Sequence, residues 1–132
     1  MIYLASPYSH PDEQVRKDRF MAVASFVGDA LRQGYLIFSP VVYGHALVQI
    51  VDLPTDALAW EAFNSQMLSN CREMWVLKLS GWEQSLGVQA EIADARNHHL
   101  SVSYWSARGE PERTRAIMPS FNVLSTPNTA NG

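Results

Sequence analysis

"EMWVLKLSGWEQSLGVQAEIADARNHHLSVSYW", residues 73–105, holds two short apolar runs with a helix-like segment between them. The run at 73–79 reads as a strand buried on both faces, and "LSVSYW" at 100–105 as a second. Between them Leu86, Val88, Ile92 and Ala95 recur at helical spacing. A strand, a helix and a strand in so short a stretch predict a right-handed crossover between parallel strands. Working back from there, "MIYLA" (1–5) is a further apolar strand, broken by "SPYSHPD". From Asp12 to Gln33 the positions Val15, Phe20, Val23, Phe26, Val27, Ala30 and Leu31 trace a helix that Gly34 closes in a left-handed cap. "YLIFS" (35–39) is the next strand, and a helix is expected from Thr55 to about Asn70 through Leu58, Ala59, Ala62, Phe63, Met67 and Leu68. The stretch "PVVYGHALVQIVDLPTD" between these two is expected to be a long, partly ordered connection. The prediction is an α/β fold: a flavodoxin-like or Rossmann-like three-layer sandwich with a four- or five-stranded parallel sheet. It occupies residues 1–106, and 107–132 form a polar C-terminal segment, flexible or docked on a neighbouring subunit.

A chain of 132 residues with 47% hydrophobic content suits one domain with a substantial core. Its formal net charge of −3, with ten scattered Lys and Arg, argues against polymeric nucleic acid and for a small-molecule ligand. Cys71 is the single cysteine, so no disulfide forms within the chain and a reducing, cytoplasmic setting is expected. With no near neighbour in sequence to activate it, the default for that thiol is a small buried side chain. The N-terminus lacks a basic stretch and no apolar run reaches the roughly 18 residues of a membrane span, so a soluble, unprocessed protein is expected.

In an open parallel sheet, ligands bind beyond the carboxyl ends of the strands near the switch in strand order. The loops after the first three strands there carry Ser6, Tyr8, Ser9 and His10; Ser39 and His45; and Gly81, Ser85 and Gly87. A hydroxyl and glycines at a helix start favour an anion such as phosphate, although Ser85 serves equally well as an N-cap. Glu91 follows in that helix, where the dipole favours ionisation and an ionised carboxylate is a nucleophile. An exposed surface glutamate is the alternative, but Ala90, Ile92 and Ala93 make its surroundings apolar. His10 and His45 are candidates to meet a phosphate or sugar, or else to hydrogen-bond within their loops. His98 and His99 are expected to cap carbonyls at the helix end rather than bind metal. Trp60, Phe63 and Trp82 suit a wall for a stacked base, or packing. No metal or cofactor is expected.

These residues carry a resemblance. "IYLASPYSHPD", "FSP", "WVLKLSGWEQSLGVQAEIADA" and "SVSYW" resemble the nucleoside 2-deoxyribosyltransferase-like superfamily, in particular a small bacterial and phage branch with "PYSHPD" and "GWxxSxGVxAEI" signatures. "SLGVQAE" also resembles the matching segment of 2'-deoxynucleoside 5'-monophosphate N-glycosidases. The resemblance covers about residues 1–106 and implies a hydrolase or transferase acting on a nucleoside or nucleotide. By it, Glu91 attacks C1' of a deoxyribose to give a glycosyl ester, Tyr3 orients that carboxylate, and Ser85 contacts a 5'-phosphate. The family's Asp that protonates or orients the leaving base falls at or beside Asn64, where an amide cannot supply a proton. Glu61, one turn earlier, or Asp52 or Asp56 are candidate replacements. The resemblance also implies a homodimer or homotetramer, its sites completed by a loop or a C-terminal residue of a second subunit, for which the polar tail with Asn122 and Asn128 is a candidate here.

Overall fold

The computed structural model describes residues 1–54 and 57–106. Four strands, β1 (Ile2–Ala5), β2 (Ile37–Phe38), β3 (Glu73–Leu77) and β4 (Ser101–Trp105), form one all-parallel sheet in the order β2-β1-β3-β4. Ile2 stands beside both Ile37 and Glu73, and Glu73 beside Ser101, so the register runs straight across the sheet. The helices are α1 (Glu13–Arg32), α2 (Pro40–Val48), α3 (Ala57–Ser69) and α4 (Leu86–Asn97). The fold is the three-layer α/β sandwich that the alternating pattern predicts, with four strands.

Alternation along each strand divides the core into two layers. Ile2, Leu4, Trp75, Leu77 and Trp105 face α1, where Val23, Phe26 and Ala30 meet them. Trp75 stacks on Trp105 with ring centroids 4.0 Å apart, and the edge of Phe26 meets both rings. Tyr3, Ala5, Met74 and Val76 face the opposite layer with Leu68 of α3 and Val88, Ile92 and Ala95 of α4. Tyr3 therefore looks toward α4, because on β1 it alternates with Ile2 and Leu4, which face α1.

The strand order fixes where a ligand fits. From β1 the chain turns outward to β2 by way of α1, and from β3 it turns the other way to β4 by way of α4. The carboxyl ends of β1 and β3 are therefore adjacent while the segments leaving them cover opposite faces, which is a topological switch point.

One expectation is corrected. Residues 40–48 are helical instead of forming the start of a loose connection. "Ser-Pro" after a strand reads as a break, but Pro40 occupies the first helical position and Ser39 caps it, its hydroxyl accepting the Val42 N–H at 3.1 Å. The pair starts a helix because proline's fixed φ suits the first turn and its missing N–H costs nothing there. β2 is also shorter than "YLIFS": Tyr35 leaves the strand to lie edge-on to Trp75, centroids 4.9 Å apart. Among the described residues no helix is long and apolar enough to cross a membrane. The segment from 107 onward, with Asn122 and Asn128, and also Asp56, lie outside the described residues.

Candidate active site

α4 begins directly after Ser85, whose hydroxyl accepts the Val88 N–H at 3.2 Å. Gly87 lies in the first turn and Glu91 midway along the helix, beside the buried stripe of Val88, Ile92 and Ala95. The half-buried Glu91 receives a hydrogen bond on Oε2 from the Tyr3 hydroxyl at 2.5 Å. Tyr3 is wholly buried, which together with the adjacent carboxylate holds its phenol protonated far above the ordinary range. It can only donate to Glu91, never compete with it as an anion. Oε1 accepts no hydrogen bond from the described residues, so one carboxylate oxygen is fixed and the other is unpartnered among them.

The expectation that the helix dipole keeps Glu91 ionised is not met. Burial raises its pKa from 4.5 to about 7; the Tyr3 hydrogen bond opposes the rise and the nearby Asp94 carboxylate adds to it. With Ser85 as the cap, Glu91 stands beyond the first turn, where the dipole's influence has faded and the cost of desolvation wins.

Asp94, one turn after Glu91, was not legible as a site residue. Its Oδ2 accepts the Ser65 hydroxyl at 2.9 Å and its Oδ1 lies 3.3 Å from Nδ1 of His98. His98 Nδ1 also meets the Asp94 carbonyl at 2.9 Å, as expected of a histidine at a helix end. The signal for Asp94 in sequence is its three-residue spacing from Glu91, which puts both carboxylates on one side of the helix.

Among the described residues two buried polar atoms have no partner: Ser6 Oγ, just past β1, and Asn64 Oδ1 on α3. Such atoms cost roughly 1–3 kcal/mol each unless something satisfies them, and both occupy positions expected to meet a ligand. Glu61 and Asp52, the candidate substitutes for an acid at 64, are exposed.

Several candidates are engaged within the protein. Tyr8 and His45 share a hydrogen bond of 2.7 Å between hydroxyl and Nδ1, and the buried imidazole stacks on Phe20 at 4.1 Å. Burial first, then Arg16 and Lys17, push the His45 pKa below its usual value, so the ring is neutral at pH 7. His10 is exposed and its Nδ1 accepts the Asp12 N–H at 3.0 Å, bracing the start of α1. Ser9 offers its carbonyl to Arg19 Nη1 at 3.0 Å. Gly81 has φ +91°, a left-handed conformation that glycine adopts without strain.

The aromatic residues form a line rather than one wall. Tyr3 meets Phe38 at 5.9 Å, Phe38 meets Phe63 at 6.4 Å, and Phe63 stacks on Tyr43 at 5.4 Å with Trp60 edge-on at 5.9 Å. The Trp60 indole N–H is held by the Pro54 carbonyl at 2.8 Å. Exposed, stacked Tyr43 and Phe63 thus connect through Phe38 to the Tyr3–Glu91 pair. Trp82 packs instead on Tyr104 at 5.6 Å, because the short turn at 82–84 directs it toward β4.

Residues 1–107 match the family described as a domain of unknown function (DUF1937). The chain belongs to this family. The match spans every described residue, so all four strands and the Tyr3–Glu91 pair belong to the DUF1937 domain. No curated protein matches the chain.

Proposed function

We propose that this DUF1937 domain cleaves the N-glycosidic bond of a nucleoside or nucleotide, as an N-glycosidase or deoxyribosyltransferase with Glu91 as nucleophile. The observation that carries the reading is a half-buried carboxylate in the first half of α4, with one oxygen hydrogen-bonded to a fully buried tyrosine and the other without a partner among the described residues. In the ionised form Oε1 attacks C1' of the sugar, the bond from C1' to the base nitrogen breaks with its electron pair leaving on the base, and a glycosyl ester forms. Water, or the nitrogen of a second base, then displaces the carboxylate and regenerates it. Dividing one displacement into two lowers each barrier. Tyr3 holds the carboxylate in position and moderates its basicity. Stacked Tyr43 and Phe63, which extend from Tyr3 by way of Phe38, give a base an aromatic surface. A homodimer or homotetramer accompanies this reading through the resemblance that supports it.

The test is incubation of the full chain with a panel of nucleosides and nucleoside monophosphates, followed by chromatography. Free base or exchanged base released by wild type and not by Glu91→Ala supports the reading; wild type indistinguishable from Glu91→Ala on every substrate refutes it. Asn64 favours a second reading, a nucleotide-binding or sensing module without rapid turnover, because no acidic side chain stands at that position to protonate the departing base. That module gives ligand-dependent thermal stabilisation with no base release.

A further inference from the structure

Arg19 lies on α1 and had no evident role in the sequence. Its Nη1 donates to the Ser9 carbonyl at 3.0 Å and its Nη2 to the Ser80 carbonyl at 3.3 Å. One guanidinium therefore spans the loop after β1 and the loop after β3, the two that leave the switch point in opposite directions. The contact with the second loop is close: a Cβ on Gly81 would lie 2.8 Å from Nη2. Gly81 opens the turn that leads through Ser85 into α4, the Gln84 N–H returning to the Gly81 carbonyl at 3.2 Å. On the other loop stands Ser6, 7% exposed, with an unpartnered hydroxyl.

Both partners of Arg19 are neutral carbonyls, which orient a cation without cancelling its charge. Among the described residues no carboxylate pairs with Arg19, and partial burial lowers its affinity for its proton. A half-buried cation with two of its five N–H groups committed to neutral acceptors is short of an anion. The loop after β1 that Arg19 clasps carries the buried, unpartnered Ser6 hydroxyl, and the loop after β3 leads to the Ser85 hydroxyl at the start of α4; hydroxyls and helix N-termini bind phosphate oxygens.

We propose that Arg19 supplies the positive charge of a phosphate subsite at the switch point, and so selects nucleoside monophosphates over free nucleosides. The assignment rests on the crevice taking a nucleotide, as proposed above, and does not depend on glycosidic cleavage. Ser85 keeps its O–H free to donate to the same phosphate, because capping uses only the oxygen's lone pair. Geometry and charge have separable contributions: the fork joins the two loops, and the charge attracts the anion.

The test measures binding of inorganic phosphate, and of a deoxynucleoside monophosphate against its nucleoside, by thermal shift and calorimetry. The full-chain variants are Arg19→Gln, Arg19→Lys and, as a control on the far end of α1, Arg32→Gln. Arg19→Gln is expected to weaken phosphate and monophosphate binding about 10- to 100-fold, the range for losing one charge-assisted contact, with nucleoside binding unchanged. Arg19→Lys retains most of the phosphate affinity, and Arg32→Gln retains all of it. Circular dichroism of each variant establishes that it is folded. Wild-type phosphate affinity in Arg19→Gln, equal losses in the Gln and Lys variants, or no phosphate binding by wild type would each overturn the proposal. Base release without an Arg19-dependent preference for the monophosphate removes this assignment and leaves the glycosidase. Arg19-dependent phosphate binding without base release from any substrate does the reverse.

Discussion

Replacing Glu91 by Gln should make the protein more stable while abolishing its proposed chemistry. The raised pKa of Glu91 means that the fold favours its protonated form. Below pH 4.5 the carboxyl is protonated in both folded and unfolded chains and contributes nothing. Between 4.5 and about 7 the folded chain retains a proton that the unfolded chain has released, so stability falls as pH rises; above about 7 the whole penalty is present. At about 1.4 kcal/mol per pH unit between the two values, the penalty is about 3 kcal/mol. Glutamine is nearly isosteric, accepts the Tyr3 hydrogen bond through its carbonyl, and carries no charge to desolvate. Glu91→Gln should therefore be about 3 kcal/mol more stable than wild type at pH 8, roughly 10 °C in Tm for a domain of this size. The advantage should vanish near pH 4.5. Urea titrations of both proteins from pH 4.5 to 8.5 measure it. If the two midpoints coincide at pH 8, or if the gap does not close toward acid, the burial of Glu91 has been misjudged and with it the argument for a poised carboxylate.

Further outcomes follow from the same geometry. Base release should rise with pH through about 7, since the attacking oxygen must be ionised, and in Tyr3→Phe this limb should move to higher pH because the hydrogen bond that lowers the Glu91 pKa is gone; a pH–rate profile reads both. Asn64→Asp should raise turnover about a hundredfold if an absent acid limits the rate, in a comparison of single-turnover kinetics with wild type. Gly81→Ala should cost about 1–3 kcal/mol in denaturant titration, from its φ of +91° and a Cβ 2.8 Å from Arg19. Combining it with Arg19→Ala should recover only the steric part.

Residues 73–105 displayed strand, helix and strand because strands buried on both faces are apolar throughout and α4 keeps its apolar stripe. The Tyr3–Glu91 pairing was legible only through resemblance, because hydrogen bonding across 88 positions leaves no periodic trace. α2 was missed because proline has opposite meanings inside and at the start of a helix, and Ser39-Pro40 alone does not distinguish them. The direction of the Glu91 pKa was misread because dipole proximity can be counted along a sequence, whereas desolvation depends on neighbours that only the fold supplies. Arg19 left no signal, since its partners are main-chain carbonyls, which every residue type presents.

β1 is the first of the described strands and lies inside the sheet, between β2 and β3. Its phenol therefore meets its carboxylate only after α4, near the end of the described fold, has docked. A partly assembled chain therefore holds the two side chains apart, and the hydrogen bond between them forms only as the architecture closes.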